Sequence, residues 1–158
     1  MNKDEYFTFN EYMKREDNSL TASLEDYLEM IYRLSLDTGF IRINELADAL
    51  NVQPSSVTKA VQKLAEQHLV DYERYGIVIL NEPGKVIGKT LLKRHNMIKD
   101  FLKLIGVADE NLLKETEKIE HTISDKTVRL FECLLAFMNN RTDIIEDLKA
   151  YQQKENIF

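Results

Sequence analysis

Cysteine is almost missing from this chain of 158 residues: the lone Cys133 excludes an internal disulfide and fits a reducing compartment. Glycine and proline are scarce, five and two, and the chain has no low-complexity segment and no internal repeat. No apolar run approaches the roughly 18–20 residues needed to span a bilayer. The first residues, with Asp4, Glu5, Phe7 and Phe9, lack the basic flank and apolar stretch of a signal peptide. These absences leave a cytoplasmic protein without a membrane partner. What remains, 44% hydrophobic and 30% charged, is long enough to bury a sizeable core in one domain or two small ones.

A net charge of −6 argues at first against nucleic acid, but it is unevenly placed. Residues 42–95 alone are basic, with eight Lys/Arg against six Asp/Glu. DNA responds to that local potential rather than to the total. The acidic flanks suit a cation.

Residues 1–20 are polar, carry Tyr6, Phe7, Phe9 and Tyr12, and show no period; they read as an N-terminal arm of uncertain order. From Thr21 or Ser23, either of them an N-cap, apolar residues at Leu24, Leu28, Ile31 and Tyr32 predict a helix to about Leu36, ended by Thr38-Gly39. A short helix follows at Asn44–Leu50, then a turn at 51–53. Pro54 opens a third helix running to about His68, with Val57, Val61 and Leu64 inward. Val70–Arg74 and Ile77–Leu80 predict a hairpin closed at Tyr75-Gly76. A long helix is expected over Glu82–Ile105, then others at Asp109–His121, Ser124–Met138 and Arg141–Gln153. Cys133, among Phe131, Leu134 and Leu135, reads as helix core. The stripe Val128, Phe131, Leu135 and Met138 suits either a dimer contact or ordinary core.

Helix, short helix, tight turn, helix and hairpin is the order of a winged helix-turn-helix. The predicted fold is mainly α with a small β-hairpin wing, its DNA-binding domain spanning residues 21–83 and a helical domain spanning 84–158. The third helix offers short hydrogen-bonding side chains at its N-terminal end, where a recognition helix meets base edges. Gln53, Ser55, Ser56, Thr58, Lys59, Gln62 and Lys63 are the candidates for base or phosphate contact, with Arg74 and Tyr75 at the wing tip. The alternative is a packing domain with a merely solvated face.

Glu117-Lys118-Ile119-Glu120-His121 places two carboxylates and an imidazole at helical positions i, i+3 and i+4. Such donors suit a divalent first-row metal. Asp26 and Glu29, at i and i+3, and His95 complete six candidate ligands on three segments. Singly, each reads better as a solvated face or a core histidine. Jointly, four acids crowded at one place raise one another's pKa and call for cations, which two divalent ions would balance.

Residues 23–32 (SLEDYLEMIY) resemble the first helix of the diphtheria toxin repressor family of metal-dependent regulators, as do Gln53-Pro54-Ser55-Ser56-Val57-Thr58-Lys59, Lys93-Arg94-His95 and Ile119–Asp125. Within it the resemblance is to the manganese transport regulator branch, over roughly residues 21–140. It implies a homodimer, double-stranded operator DNA as partner, and a C-terminal helical domain for metal binding and dimerisation. One metal would be held by Asp26, Glu29, His95 and Glu120, and a second by Glu29, Glu117, Glu120 and His121. The iron-responsive branch has methionine in place of Asp26 and cysteine in place of Glu117; oxygen donors at both favour Mn²⁺, about two per chain, with Fe²⁺, Co²⁺, Zn²⁺ or Cd²⁺ also able to bind. The expected function is repression of metal-uptake genes, without the extra SH3-like domain of longer members. The resemblance does not reach residues 1–20. Two other classes compete. A metal-independent winged-helix regulator would treat the acids as surface charge. A metal-dependent hydrolase lacks a His-Glu-x-x-His motif and leaves the winged module unexplained.

Overall fold

The structure, a computed structural model, describes residues 20–157, Arg74 through its backbone alone. Except for Leu20, the expected arm lies outside the described residues. The chain divides into two compact units, one through Leu91 and one from Leu92.

The first unit is built on α1 (Ala22–Ser35), capped by Thr21, whose hydroxyl accepts the Leu24 N–H at 3.3 Å. The alternative cap, Ser23, lies inside the helix. A two-residue strand, β1 (Ile41–Arg42), leads into α2 (Ile43–Leu50). Glu45 accepts the Arg42 N–H at 2.9 Å, satisfying an otherwise orphaned donor at the start of α2. Asn51 ends α2 in the left-handed region, φ 53, which asparagine tolerates well. Then come α3 (Pro54–Glu66), β2 (Val70–Tyr72), a 3-10 turn at Arg74–Gly76, β3 (Ile77–Leu80) and the start of α4 (Glu82–Leu104). The sheet is antiparallel in the order β1-β3-β2, with Ile41 opposite Val78 and Val70 opposite Leu80.

Leu28, Ile31, Leu46, Val57, Val61, Leu64 and Val78 are fully enclosed at the centre of this unit. The inward stripe expected for α3 is thus its buried face. Gly88 lets α4 approach α1: a Cβ there would meet the Tyr32 Cβ at 2.6 Å. Two details differ from the sequence reading. β1 was not foreseen, because two residues are too few to show alternation. β2 stops at Tyr72 rather than Arg74, since Glu73 N–H already bonds the Ile77 carbonyl at 2.8 Å and closes the hairpin around the 3-10 turn.

The second unit comprises the rest of α4 with α5 (Asp109–Glu120), α6 (Asp125–Asn139) and α7 (Thr142–Lys154). Its core is Met97, Ile98, Leu102, Leu112 and Val128, with Ile105, Ile119, Phe131 and Leu135 partly buried against them. The Phe101 and Phe131 rings stack at 4.7 Å, and Gln152 donates from Nε2 to the Ile105 carbonyl at 2.8 Å, tying α7 down. Ser124 caps α6 by accepting the Thr127 N–H.

One sequence reading of α6 is corrected here, and one left open is decided. Cys133 is exposed, not core. It lies two residues from both Phe131 and Leu135, about 200° around the helix from each at ~100° per residue. Val128, Phe131 and Leu135 face the core of their own unit, whereas Leu130, Leu134 and Phe137 form an exposed apolar face, 62%, 44% and 50% accessible. Among the described residues, no helix is long and apolar enough to cross a membrane.

Candidate metal centre and nucleic-acid interface

On α5 the buried positions are Leu112, Thr116 and Glu120, spaced four residues apart along one face. Thr116 satisfies its hydroxyl by donating to the Leu112 carbonyl at 2.8 Å. Glu120 has no such local solution: an ionisable group stands where the stripe calls for an apolar one, 2% exposed. Its partners are imidazoles. Glu120 Oε2 lies 2.9 Å from His95 Nδ1 on α4, and Oε1 lies 3.4 Å from His121 Nε2. Glu117, one turn earlier, brings its Oε1 to 3.6 Å from the same His95 nitrogen. The helix expected to continue through His121 ends at Glu120, and His121 is its C-cap with near-helical backbone, φ −90 and ψ 0. The ring therefore stays beside the carboxylate.

Burial pushes the Glu120 pKa up, but hydrogen bonds from His121 and His95, with their charge, prevail and lower it from 4.5 to about 2. A buried carboxylate that stays ionised at neutral pH is a standing acceptor for positive charge. Two ligand atoms at right angles on an ion about 2.1 Å away lie ~3 Å apart. The spacings of 2.9, 3.4 and 3.6 Å are of that size, so these residues fit a divalent cation.

The remaining two candidate ligands lie on α1 in the first unit. Asp26 and Glu29 share a helical face, Asp26 half-buried and Glu29 buried. Glu29 accepts a hydrogen bond from Arg33, one turn on.

The nucleic-acid candidates sit on the first unit. Ser55, Ser56, Lys59, Gln62 and Lys63 are exposed along α3, opposite Val57, Val61 and Leu64. Gln53 is the exposed N-cap of α3; its side chain makes no cap bond, and its carbonyl accepts the Ser56 and Val57 N–H groups at 2.9 and 3.3 Å. Thr58 is half-buried and its hydroxyl donates to the Pro54 carbonyl at 3.0 Å, leaving only acceptor capacity for a ligand. Tyr75 is 91% exposed at the tip of the wing, held out by a positive φ of 66. The Arg74 side chain lies outside the described residues. Three features escaped the sequence reading. They are Tyr72, partly exposed on β2, the outward stripe of α6, and Arg33 beside Glu29. The i+4 spacing was the available signal for the last two.

Comparison with known proteins decides the family. Residues 19–78 match the profile described as iron dependent repressor, N-terminal DNA binding domain, and residues 81–146 match its metal binding and dimerisation domain. The chain belongs to the iron-dependent repressor family. Members of this family, also called the diphtheria toxin repressor family, are transcriptional regulators rather than enzymes, which sets the hydrolase alternative aside. The chain is 44% identical over 137 residues to the HTH-type transcriptional regulator MntR of Shouchella clausii, covering 86% of this chain and 95% of that protein. Against MntR of Bacillus subtilis it is 40% identical, covering 85% and 94%. Among solved structures, a manganese-dependent transcriptional repressor in complex with manganese aligns with TM-score 0.65 and 28% identity, over 72% of this chain. ScaR with bound Zn²⁺ aligns at 0.60 and 31%, again over 72%. This chain spans about half the length of those two repressors, 53% and 54%. As an iron-dependent repressor family member it is a metal-dependent, DNA-binding regulator with a dimerisation domain.

Proposed function

We propose that this chain is a manganese-responsive cytoplasmic repressor of metal-uptake genes, binding operator DNA as a homodimer when Mn²⁺ is plentiful. One observation carries the reading: the two oxygens of buried, ionised Glu120 face different imidazoles, Oε2 toward His95 and Oε1 toward His121. Glu120, with His95 and His121, would hold a divalent cation, which would supply the positive charge a buried carboxylate needs. The ligand set is Asp26, Glu29, His95, Glu117, Glu120 and His121, with about two ions per chain. Four carboxylates and two imidazoles, without a thiolate, favour Mn²⁺ over softer ions, while Fe²⁺, Co²⁺, Zn²⁺ and Cd²⁺ remain able to bind. The relatives solved with manganese, zinc and cadmium accord with that breadth.

Bound divalent ions would supply positive charge to balance these carboxylates. The chain's own residues do the rest. Glu120 presents one carboxylate oxygen on either side, His95 and His121 fix its orientation, and Glu117 adds charge at the His95 side. Asp26 and Glu29 belong to α1 of the DNA-binding domain, so metal affinity and DNA affinity are linked. Ions raise DNA affinity only by the factor by which they prefer the DNA-competent state, and DNA raises ion affinity by the same factor. On the DNA side, Ser55, Ser56, Thr58 and Gln62 face base edges. Gln53, Lys59, Lys63, Arg74 and Tyr75 serve the phosphate backbone and the wing contact. The homodimer forms through the exposed stripe of Leu130, Leu134 and Phe137 on α6.

The test is a calorimetric Mn²⁺ titration of chelator-stripped protein beside Glu120→Ala, with operator binding followed in parallel. About two ions per chain are expected for the wild type. In the variant binding is lost or halved, with metal-dependent DNA binding abolished and the fold intact. Unchanged DNA affinity in Glu120→Ala would sink the proposal, and sequence-specific DNA binding indifferent to chelator would favour a metal-independent regulator.

A further inference from the structure

Arg33 lies on α1, one turn beyond Glu29, on the face that also carries Asp26. Its Nη2 donates to Glu29 Oε1 at 2.5 Å. The Glu29 side chain is 9% exposed and that of Arg33 35%, so the pair is screened less than a surface pair. The contact is single. Nε of the same guanidinium is buried without a hydrogen-bond partner among the described residues, where the strongest arginine–carboxylate grip uses two parallel bonds. Arg33 therefore neutralises Glu29 without clamping it.

Resting on the manganese reading above, we propose that Arg33 is a built-in cation which holds the Glu29 carboxylate before metal arrives and so raises the metal concentration at which the site fills. The reasoning is electrostatic. A buried carboxylate without a cation is costly. Arg33 relieves that cost in the metal-free protein, which stabilises the metal-free state relative to the bound one. An incoming divalent ion must either displace the guanidinium from Glu29 or tolerate its positive charge nearby. Both routes weaken binding. The guanidinium acts before the ion is chosen, so it shifts the threshold equally for every divalent metal. Arg33 is thus an affinity-setting residue beside a ligand, not a ligand.

The experiment is calorimetric titration of the stripped full-length chain with Mn²⁺ and separately with Cd²⁺, comparing wild type with Arg33→Met, Arg33→Gln and Arg33→Lys. The two charge-free variants differ in polarity, so a folding defect in one leaves the other informative. Both are expected to bind either ion about two- to five-fold more tightly, the worth of a single partly screened ion pair. The factor should be the same for Mn²⁺ and Cd²⁺, and Arg33→Lys should stay near the wild type. Unchanged or weaker affinity in both charge-free variants overturns the proposal. So does a factor that differs between the ions, which would mean Arg33 shapes the site instead of competing for it. If the wild type takes up no Mn²⁺ saturably, the manganese reading itself fails, an outcome distinct from equal affinities.

Discussion

The two units of this chain are stabilised in different ways. In the first, among the described residues, seventeen buried apolar residues make one continuous core, and only Glu29 and Ser35 are buried polar groups. In the second, five apolar residues are buried, against His95, Thr116 and Glu120, while Leu130, Leu134 and Phe137 stand exposed. The DNA-binding unit is closed by its own hydrophobic packing. The second leaves an apolar face exposed and places a charged group at the end of its buried stripe. A recognition helix needs a rigid support, whereas a sensor needs a state whose stability depends on what it binds.

That contrast can be broken in several places. The largest effect is expected from Leu134→Asp, which puts a charge in the exposed stripe of α6. Sedimentation should show loss of the dimer and of operator binding, while circular dichroism shows the monomer still helical. A dimer that survives would place the interface elsewhere. Next comes Leu64→Ala, at the centre of the first unit's core and wholly buried. Denaturant unfolding should reveal a loss of about 2–5 kcal/mol, independent of Mn²⁺.

Metal should act at the candidate ligands instead. At a free Mn²⁺ concentration a hundred times the dissociation constant, linkage adds about 2.7 kcal/mol for each site filled. Chelation should remove that increment in a thermal melt, and Glu120→Ala should show no increment to remove. In chelator, pH supplies a further probe. Because the Glu120 pKa is depressed in the folded state, from 4.5 to about 2, its ionised form contributes stability that is fully present above 4.5. That contribution fades as pH falls from 4.5 toward 2, and Glu120→Gln should flatten this part of the stability profile. The smallest effect belongs to the DNA face. Lys59→Ala should weaken binding about equally for operator and non-operator DNA and lower the slope of log affinity against log salt by about one. A loss confined to operator DNA would instead make Lys59 a reader of bases.

The amino-acid order alone determined much of this protein. The apolar spacing of Leu24, Leu28 and Ile31, and of Val57, Val61 and Leu64, marks helices whose inner faces are the ones buried, because a 3.6-residue period leaves one face to hide. Pro54 and the turn before it locate the start of α3, since proline suits the first helical position and little else in a helix. The candidate ligands are legible too, because oxygen and imidazole donors in order and spacing are themselves chemical statements. What sequence could not decide is which of two equivalent stripes on α6 faces inward. Both are apolar at helical spacing, and only the packing of Phe131 on Phe101 turns Val128, Phe131 and Leu135 to the core and leaves Cys133 and Leu134 outside. Nor could it assign each oxygen of Glu120 to a different imidazole. Periodicity fixes the face of a helix on which a side chain lies, whereas distances of about 3 Å between groups far apart in the chain are set by how the helices pack.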